Sequence, residues 1–406
     1  MNILQINKFF YTRGGVEIVF FDTINGLRSH GHHVSEFSMQ HPKNLPSEYS
    51  KYFASEMPEL LESQSLTSKL KSFKRFFYSS EIEQKLTSLI KAEQPEVAHI
   101  HGAYHHLSAS TFTTLFKNKI PTALTLHDFF PLSPNRNFVL EETLNEAAYK
   151  KSFACIRNRC VDNKFLPSLA GQLEAYYYKW KHIWDHINLF ICPSQFMADK
   201  MVEWGYSREK MRVIHNPFET EQKNLPLGNN VLYLGRLHVE KGIKFLLNAA
   251  KQLPHIHFVL AGSGPLEAWT ENFIKENNLK NVERLGWVEH GSEKYWQAIR
   301  AAKVMVTPSL FYENCSISIL STLSYGRLAV ATDRGGNPEI IKDGETGFLC
   351  KPEDADDLAR VIKKAMNTSP EEVKKITEQG RRLVEEKYNL EDYITSLEKV
   401  YQEVIS

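Results

Sequence analysis

The chain is short of several things that mark specialised proteins, and each shortage removes a class. It has no charge excess: 49 lysine and arginine residues stand against 48 aspartate and glutamate, a net charge of +1, too small to draw nucleic acid over the whole surface. Cysteine is scarce. Only Cys155, Cys160, Cys192, Cys315 and Cys350 occur, an odd count unlike a secreted disulfide framework, so the cytosol is the expected compartment. No apolar run reaches the roughly 18 residues of a membrane span, and the apolar start Asn2 to Ile6 is too short for a signal core. No membrane-spanning segment is expected.

What remains is ordinary globular material. With 42% hydrophobic and 24% charged residues in 406, a sizeable core is expected, and at roughly 150 residues per domain the length predicts two or three domains. Short apolar runs rich in β-branched residues recur at Asn2 to Ile6, His33 to Phe37, Val97 to His101, Thr122 to His127 and Asn188 to Cys192. A second series follows at Val231 to Gly235, His257 to Ala261, Val282 to Leu285, Lys303 to Thr307 and Leu328 to Thr332. Both are spaced for crossover helices, which predicts buried parallel strands and one α/β architecture used twice.

Between the series, His215 to Asn230 carries two prolines, a glycine and polar residues, and the interdomain linker is placed there. The domains are therefore read as 1–216 and 217–388. Residues 389–406 repeat apolar positions at Leu397, Val400, Tyr401 and Val404, predicting an amphipathic helix that crosses back to the first domain. Two such parallel sheets are expected to face a central cleft with their strand C-terminal ends, where open α/β sheets bind ligands.

The polar residues that punctuate this pattern fall on that rim. Arg13-Gly14-Gly15-Val16-Glu17 lies between the first strand and a helix, a place where backbone amides approach an anion closely, although a structural Gly-Gly turn reads the same way. His127 closes a strand pattern, positioned to bond a sugar hydroxyl or stabilise charge near neutral pH; packing alone is the alternative. Gly235-Arg236 through Lys241-Gly242 sets two cations at a strand-to-helix junction, suited to a pyrophosphate or simply solvated. No Gly-Lys-Ser/Thr follows, which excludes a Walker loop. Gly262-Ser263-Gly264-Pro265 opens another helix. In the segment from Pro308 to Gly326, Glu313 precedes a helix whose first amides are free for phosphate, leaving the carboxylate for sugar hydroxyls. Gly335-Gly336-Asn337-Pro338-Glu339 and Asp343 to Gly347 repeat the pattern of turn and acid.

In this order and spacing the motifs resemble those of retaining glycosyltransferases of the GT-B fold, family 4 type, over nearly the whole chain. The resemblance implies two Rossmann-like doubly wound domains, the first binding an acceptor and the second a nucleotide diphosphate sugar. Arg236 and Lys241 would neutralise the departing diphosphate, so that neither a metal nor another cofactor is needed. Gly14 and Gly15 would close over the phosphates, His127 would contact the transferred sugar, and Gly262, Gly264, Glu313, Asn314, Cys315, Ser316 and Ile317 would complete the donor site. His127, Glu313, Arg236 and Lys241 are the expected catalytic group. The implied chemistry is front-face displacement with retention, serving a surface polysaccharide or glycoconjugate, with a sugar or lipid-linked glycan as acceptor.

One position departs. The family's acidic motif places a second glutamate where this chain has Ser321, removing a carboxylate that would hold the ribose hydroxyls. A catalytically silent relative that binds sugar nucleotide or a partner transferase is thus the rival reading, and a nucleotide-sugar epimerase ranks below it. Two further segments lie outside these motifs. Cys155 and Cys160 are expected as reduced thiols, with a zinc site alongside His182 and His186 as the alternative. Residues 63–80 contain Lys69, Lys71, Lys74 and Arg75, no acid, and Leu66, Leu70, Phe73 and Phe77 at helical spacing; this suits either peripheral contact with the inner face of an anionic membrane or packing on the first domain.

Overall fold

In the computed structural model, which describes residues 1–57, 75–150, 153–161, 163–219 and 225–406, the apolar runs become strands of two separate parallel sheets. The first half of the chain runs β1 (Asn2–Asn7), α1 (Gly15–Ser29), β2 (His33–Phe37), α2 (Ser80–Glu93), β3 (Val97–Gly102), α3 (Ser108–Lys117) and β4 (Thr122–Thr125). It continues through a hairpin of β5 (Val139–Leu140) and β6 (Thr143–Leu144), then α4 (Phe165–Trp180), β7 (Leu189–Cys192), α5 (Gln195–Glu203) and β8 (Met211–Val213). The sheet order is β2-β1-β3-β4-β7-β8, with neighbouring strands paired in parallel. The order reverses between β1 and β3, which makes that edge the place for a ligand.

The second half runs β9 (Asn230–Leu234), α6 (Ile243–Gln252), β10 (Phe258–Ala261), α7 (Glu267–Glu276), β11 (Val282–Gly286), α8 (Glu293–Ala301) and β12 (Ala302–Thr307). After these come α9 (Ile317–Ser324), β13 (Leu328–Thr332), β14 (Phe348–Cys350), α10 (Ala355–Met366), α11 (Pro370–Lys387) and α12 (Leu390–Ile405). This sheet is ordered β11-β10-β9-β12-β13-β14, and its reversal lies between β9 and β12. Its core joins Val231 and Tyr233 of β9 and Val304 and Val306 of β12 to Leu246 and Leu247 of α6 and Leu358 and Ile362 of α10. Helix α10 holds its orientation partly by chemistry at its ends: Asp354 caps the amide of Asp357, two aspartates follow, and Lys363 and Lys364 close the last turn, each matching the helix dipole.

Chain contacts divide the molecule into one unit of Met1–Phe138, Glu146–Pro217 and Leu390–Ser406, and another of Val139–Asn145 and Phe218–Asn389. The change of unit at Pro217 lies one residue past the expected boundary. The hairpin corrects the division more seriously, because Val139–Asn145 sits inside the expected first domain yet belongs to the second unit. Its Glu142 pairs with Lys244, and the amide of Leu144 donates to Glu353 Oε1 at 3.0 Å. The turn residues Glu141 and Glu142 have φ of 46° and 70°, a conformation usually signalled by Asn-Gly, so nothing in their identity announces a hairpin.

The cysteine expectation is also overturned. Cys155 and Cys160 form a disulfide, their Cα atoms 4.8 Å apart. The short helix Ala154–Arg157 ends in a turn in which the Cys160 amide donates to the Cys155 carbonyl at 2.9 Å, and this brings the two side chains within bridging range. Cys192, Cys315 and Cys350 are free and buried. His182 instead bonds Asp185 and His186 stacks on Phe116. Of the basic segment 63–80, residues 63–74 lie outside the described residues; Arg75 reaches the His106 carbonyl at 3.0 Å and Phe77 packs edge-on to Tyr177. No helix among the described residues is long and apolar enough to cross a membrane.

Candidate functional site

The second unit gathers its polar residues at the reversal between β9 and β12. Strand β9 ends at Leu234, and the loop behind it makes a short turn at Val239–Lys241 before α6. Gly242 closes that turn at φ 70°, and a Cβ there would lie 1.8 Å from the Pro308 carbonyl oxygen. Only glycine lets this loop lie directly against the one following β12. Leu310 then donates to the Glu240 carbonyl at 2.8 Å. The result is a fixed contact between two loops far apart in sequence.

That contact places Lys241 Nζ 2.8 Å from Glu313 Oε1, and the same oxygen accepts the Ser309 hydroxyl at 2.6 Å. Glu313 is 8% exposed as a residue, so its charge is held by a cation and a hydroxyl rather than by bulk water. The ammonium also lies 4.6 Å from the centre of the Phe311 ring, a favourable place for a cation. Arg236 behaves differently: its side chain is 67% exposed and pairs with Glu240 at 2.6 Å. The structure therefore joins Lys241 to Glu313 and leaves Arg236 as an exposed cation, paired with Glu240, on the same loop. Tyr233 anchors that loop by donating to the Arg236 carbonyl at 2.6 Å.

Past Glu313, Asn314, Cys315 and Ser316 are buried and lead into α9 at Ile317. The opening amides of a helix have no intrahelical acceptor and carry partial positive charge. Ser321 lies one turn in, buried, with its hydroxyl donating to the Ser318 carbonyl at 3.0 Å. Gly262 and Gly264 complete the rim: a Cβ on Gly262, at φ 145°, would fall 1.8 Å from the Gly235 carbonyl oxygen. The Leu237 amide in turn donates to the Ser263 carbonyl at 2.9 Å, stitching the loops after β9 and β10 together. Arg334 binds Glu353 at 2.7 Å and also the Leu310 carbonyl. Ser309, Phe311 and Arg334 were not singled out in the sequence, since each is an ordinary residue until the loops meet.

In the first unit the corresponding edge lies between β1 and β3. Gly14 precedes α1 in extended conformation, and Gly15 is the first helical residue. Within the unit nothing but Glu17 Oε2, 3.9 Å away, comes near a Cβ built on Gly14, so packing inside this unit does not demand the glycine. Lys8 follows β1 directly. Burial, assisted by the neighbouring Arg136 charge, lowers its ammonium to about 8, and both Lys8 and Arg13 lie against the Phe9 ring. His105 bonds the fully buried Glu174; burial pushes the imidazole down and the carboxyl up.

His127 lies two residues past the end of β4, which is shorter than the expected strand, and it is partly exposed. Burial holds its imidazole down at about 3, keeping it neutral. Its Nε2 lies 3.1 Å from Nδ1 of His101. Gln5, His99, His101 and Thr125 share the sheet face behind it, where the sequence pattern suggested only apolar strands.

The fold and these loops define a two-domain glycosyltransferase of the GT-B type. The model for Glycosyltransferase Family 4 matches residues 13–222, over half of the chain, and that for Glycosyl transferases group 1 matches residues 217–383. The chain belongs to glycosyltransferase family 4. An uncharacterised glycosyltransferase of Methanocaldococcus jannaschii is 27% identical over 228 residues, covering 56% of this chain and 63% of its own length. The chain spans about half the length of the curated relatives it matches. Among solved structures, sucrose-phosphate synthase from Thermosynechococcus elongatus has a TM-score of 0.73 at 19% identity, over 99% of this chain and 98% of its own. HepE from Anabaena, in complex with UDP and glucose, has a TM-score of 0.68 at 16% identity over 99% of each chain. At such identities the likeness establishes the fold.

Proposed function

We propose that the protein transfers a sugar from a nucleotide diphosphate sugar to a hydroxyl acceptor, with retention of configuration and without a metal or other cofactor. The observation that carries this is the Lys241–Glu313–Ser309 group at the β9/β12 reversal, beside the exposed Arg236 and the start of α9. In the donor complex Lys241, Arg236 and the α9 amides hold the diphosphate, and Glu313 accepts hydrogen bonds from sugar hydroxyls. Negative charge develops on the diphosphate as the glycosidic C–O bond breaks, and preset cations stabilise it. The acceptor oxygen attacks on the face the diphosphate leaves, and its proton passes to a departing phosphate oxygen. His127 contacts the transferred sugar. Support for the donor class comes from HepE, whose structure contains UDP and glucose; the acceptor is read as a sugar or lipid-linked glycan of a surface polysaccharide or glycoconjugate.

A thermal-shift screen with uridine, guanosine and adenosine diphosphate sugars tests the reading, because a ligand bound only by the folded state raises its melting point. The stabilising donor should then be turned over in EDTA, giving a product anomer of the donor's own configuration by NMR. Inversion, or full loss of turnover with EDTA, overturns the corresponding part.

Ser321 supports a second reading, a silent homologue that binds sugar nucleotide without transfer. Its hydroxyl is engaged by its own helix, so this position offers no carboxylate to a ribose. Slow donor hydrolysis without acceptor favours the enzyme; neither hydrolysis nor transfer across the donor panel favours the silent module. Calorimetry on Ser321→Glu measures what the missing carboxylate is worth, expected as tighter nucleotide binding.

A further inference from the structure

We propose that Tyr401, on the last helix of the chain, is a positioning residue for His127 and determines which ring nitrogen of that imidazole carries its proton. The proposal rests on the reading of His127 as the group that meets the transferred sugar.

Parallel register creates the arrangement. Gln5 of β1 lies beside His99 of β3, which lies beside Ala123 of β4. Alternation then puts Gln5, His99, His101 and Thr125 on one face of the sheet. All four are at most 1% exposed, and buried polar groups need partners. Helix α12 supplies one. Tyr401, itself fully buried, accepts from Gln5 Nε2 at 3.2 Å and lies 2.7 Å from Nδ1 of His99.

The bonds form one unbranched chain. His127 Nε2 is 3.1 Å from His101 Nδ1, His101 Nε2 is 3.2 Å from Gln5 Oε1, and Tyr401 then leads to His99, whose Nε2 is 2.7 Å from the Thr125 hydroxyl. With the Gln5 oxygen towards His101, the hydrogen-bond complement assigns every proton. His101 donates from Nε2 to Gln5, so its Nδ1 is an acceptor. His127 must donate to it from Nε2, which leaves His127 Nδ1 as a lone pair for a substrate hydroxyl. At the other end Tyr401 donates to His99, and His99 donates to Thr125. Burial keeps all three imidazoles neutral, as this pattern requires.

Without the Tyr401 hydroxyl, the Gln5 amide loses its acceptor and can turn over. It would then donate to His101 Nε2, His101 would donate from Nδ1, and the His127 proton would move to Nδ1. Tyr401 therefore acts on His127 without touching substrate, through three intervening bonds.

The test compares Tyr401→Phe with Tyr393→Phe in the full chain. Tyr393 sits on the same helix and its buried hydroxyl bonds Thr23 at 2.9 Å, so it matches the loss of one hydroxyl without entering the histidine chain. Long-range 15N–1H correlation spectra of histidine-labelled protein read the tautomer directly, with His127 assigned from His127→Gln. The wild type and Tyr393→Phe should show His127 protonated at Nε2, and Tyr401→Phe a mixture of tautomers. Turnover of Tyr401→Phe should fall about ten- to a hundredfold, on the scale of removing an outer partner that orients a metal-bound imidazole, with donor KM unchanged and no further fall in the His127→Gln background. An unchanged tautomer in Tyr401→Phe, or an equal loss of turnover in Tyr393→Phe, overturns the proposal. If His127→Gln keeps wild-type turnover while Tyr401→Phe still mixes the tautomers, the functional reading of His127 fails and the positioning stands.

Discussion

Lys241 and Glu313 are 72 residues apart in the chain and 2.8 Å apart in the structure. The ion pair exists because Gly242 lets the two loops touch, and it presets a cation at the edge where the second sheet reverses. Lys241→Ala should reduce transfer by about 10²–10³-fold, the usual cost of losing one preset charge-stabilising donor. Folding should lose about 1–3 kcal/mol, since the Glu313 carboxylate is buried and is left with Ser309 as its remaining partner at this oxygen. Steady-state kinetics beside urea unfolding separates the two; near-normal turnover would remove Lys241 from the site.

Acid should weaken the first unit earlier than its carboxylates alone would. His99 and His127 are held down at about 3 and His101 well below its ordinary value, all by burial. In the unfolded chain these imidazoles take up protons near pH 6.5, so their contribution is complete above that pH and is lost as pH falls from 6.5 towards 3. The slope is up to about 1.4 kcal/mol per pH unit for each group. Glu174, raised by burial, contributes with the opposite sign, so unfolding between pH 7 and 5 is best followed in Glu174→Gln. A flat profile there would contradict the neutral imidazoles.

Gly262 and Gly286 both have positive φ, at 145° and 69°, but only Gly262 faces an obstacle to a side chain. Gly262→Ala must displace the Gly235 carbonyl as well as strain its own backbone, so a loss of about 1–3 kcal/mol or more is expected, together with weaker binding of nucleoside diphosphate. Gly286→Ala, with open space around it, should cost about 1 kcal/mol and leave binding intact. Equal effects of the two changes on binding would detach Gly262 from the donor edge.

Thiol counting checks the disulfide. Denatured but unreduced protein should react at three cysteines, Cys192, Cys315 and Cys350, and reduced protein at all five. Reduction should destabilise the fold by about 2 kcal/mol, the entropy of so short a closed loop.

The strands and the order of the rim motifs were legible from residues alone, because buried parallel strands are written as β-branched runs and β1, β9, β10 and β13 are each followed directly by glycine or charge. The Gly235 to Gly242 and Glu313 segments could be read because their residue types are unusual for loops. What stayed hidden depends on contacts between distant segments. Ser309 gains meaning only when Gly242 brings Lys241 beside Glu313. His99 and His101 fall inside a strand pattern, and no local signal shows that Tyr401, 302 residues beyond His99, will complete their bonding. The hairpin at Glu141 and Glu142 was missed because tertiary partners, Lys244 and Glu353, hold a turn that its own residues do not favour.

The first unit borrows its final helix from the far end of the chain. Leu390–Ser406 leaves the ribosome only after the whole second unit has been made. Until then the Gln5–His99–His101 strip has no cover, and α1 has at Gly26 a vacancy that Ile394 later fills, since a Cβ there would lie 2.5 Å from Ile394 Cγ1. The first unit is thereby completed only once the segment that follows the second unit has been made, and a product truncated before Leu390 would leave the buried His99 without its tyrosine partner.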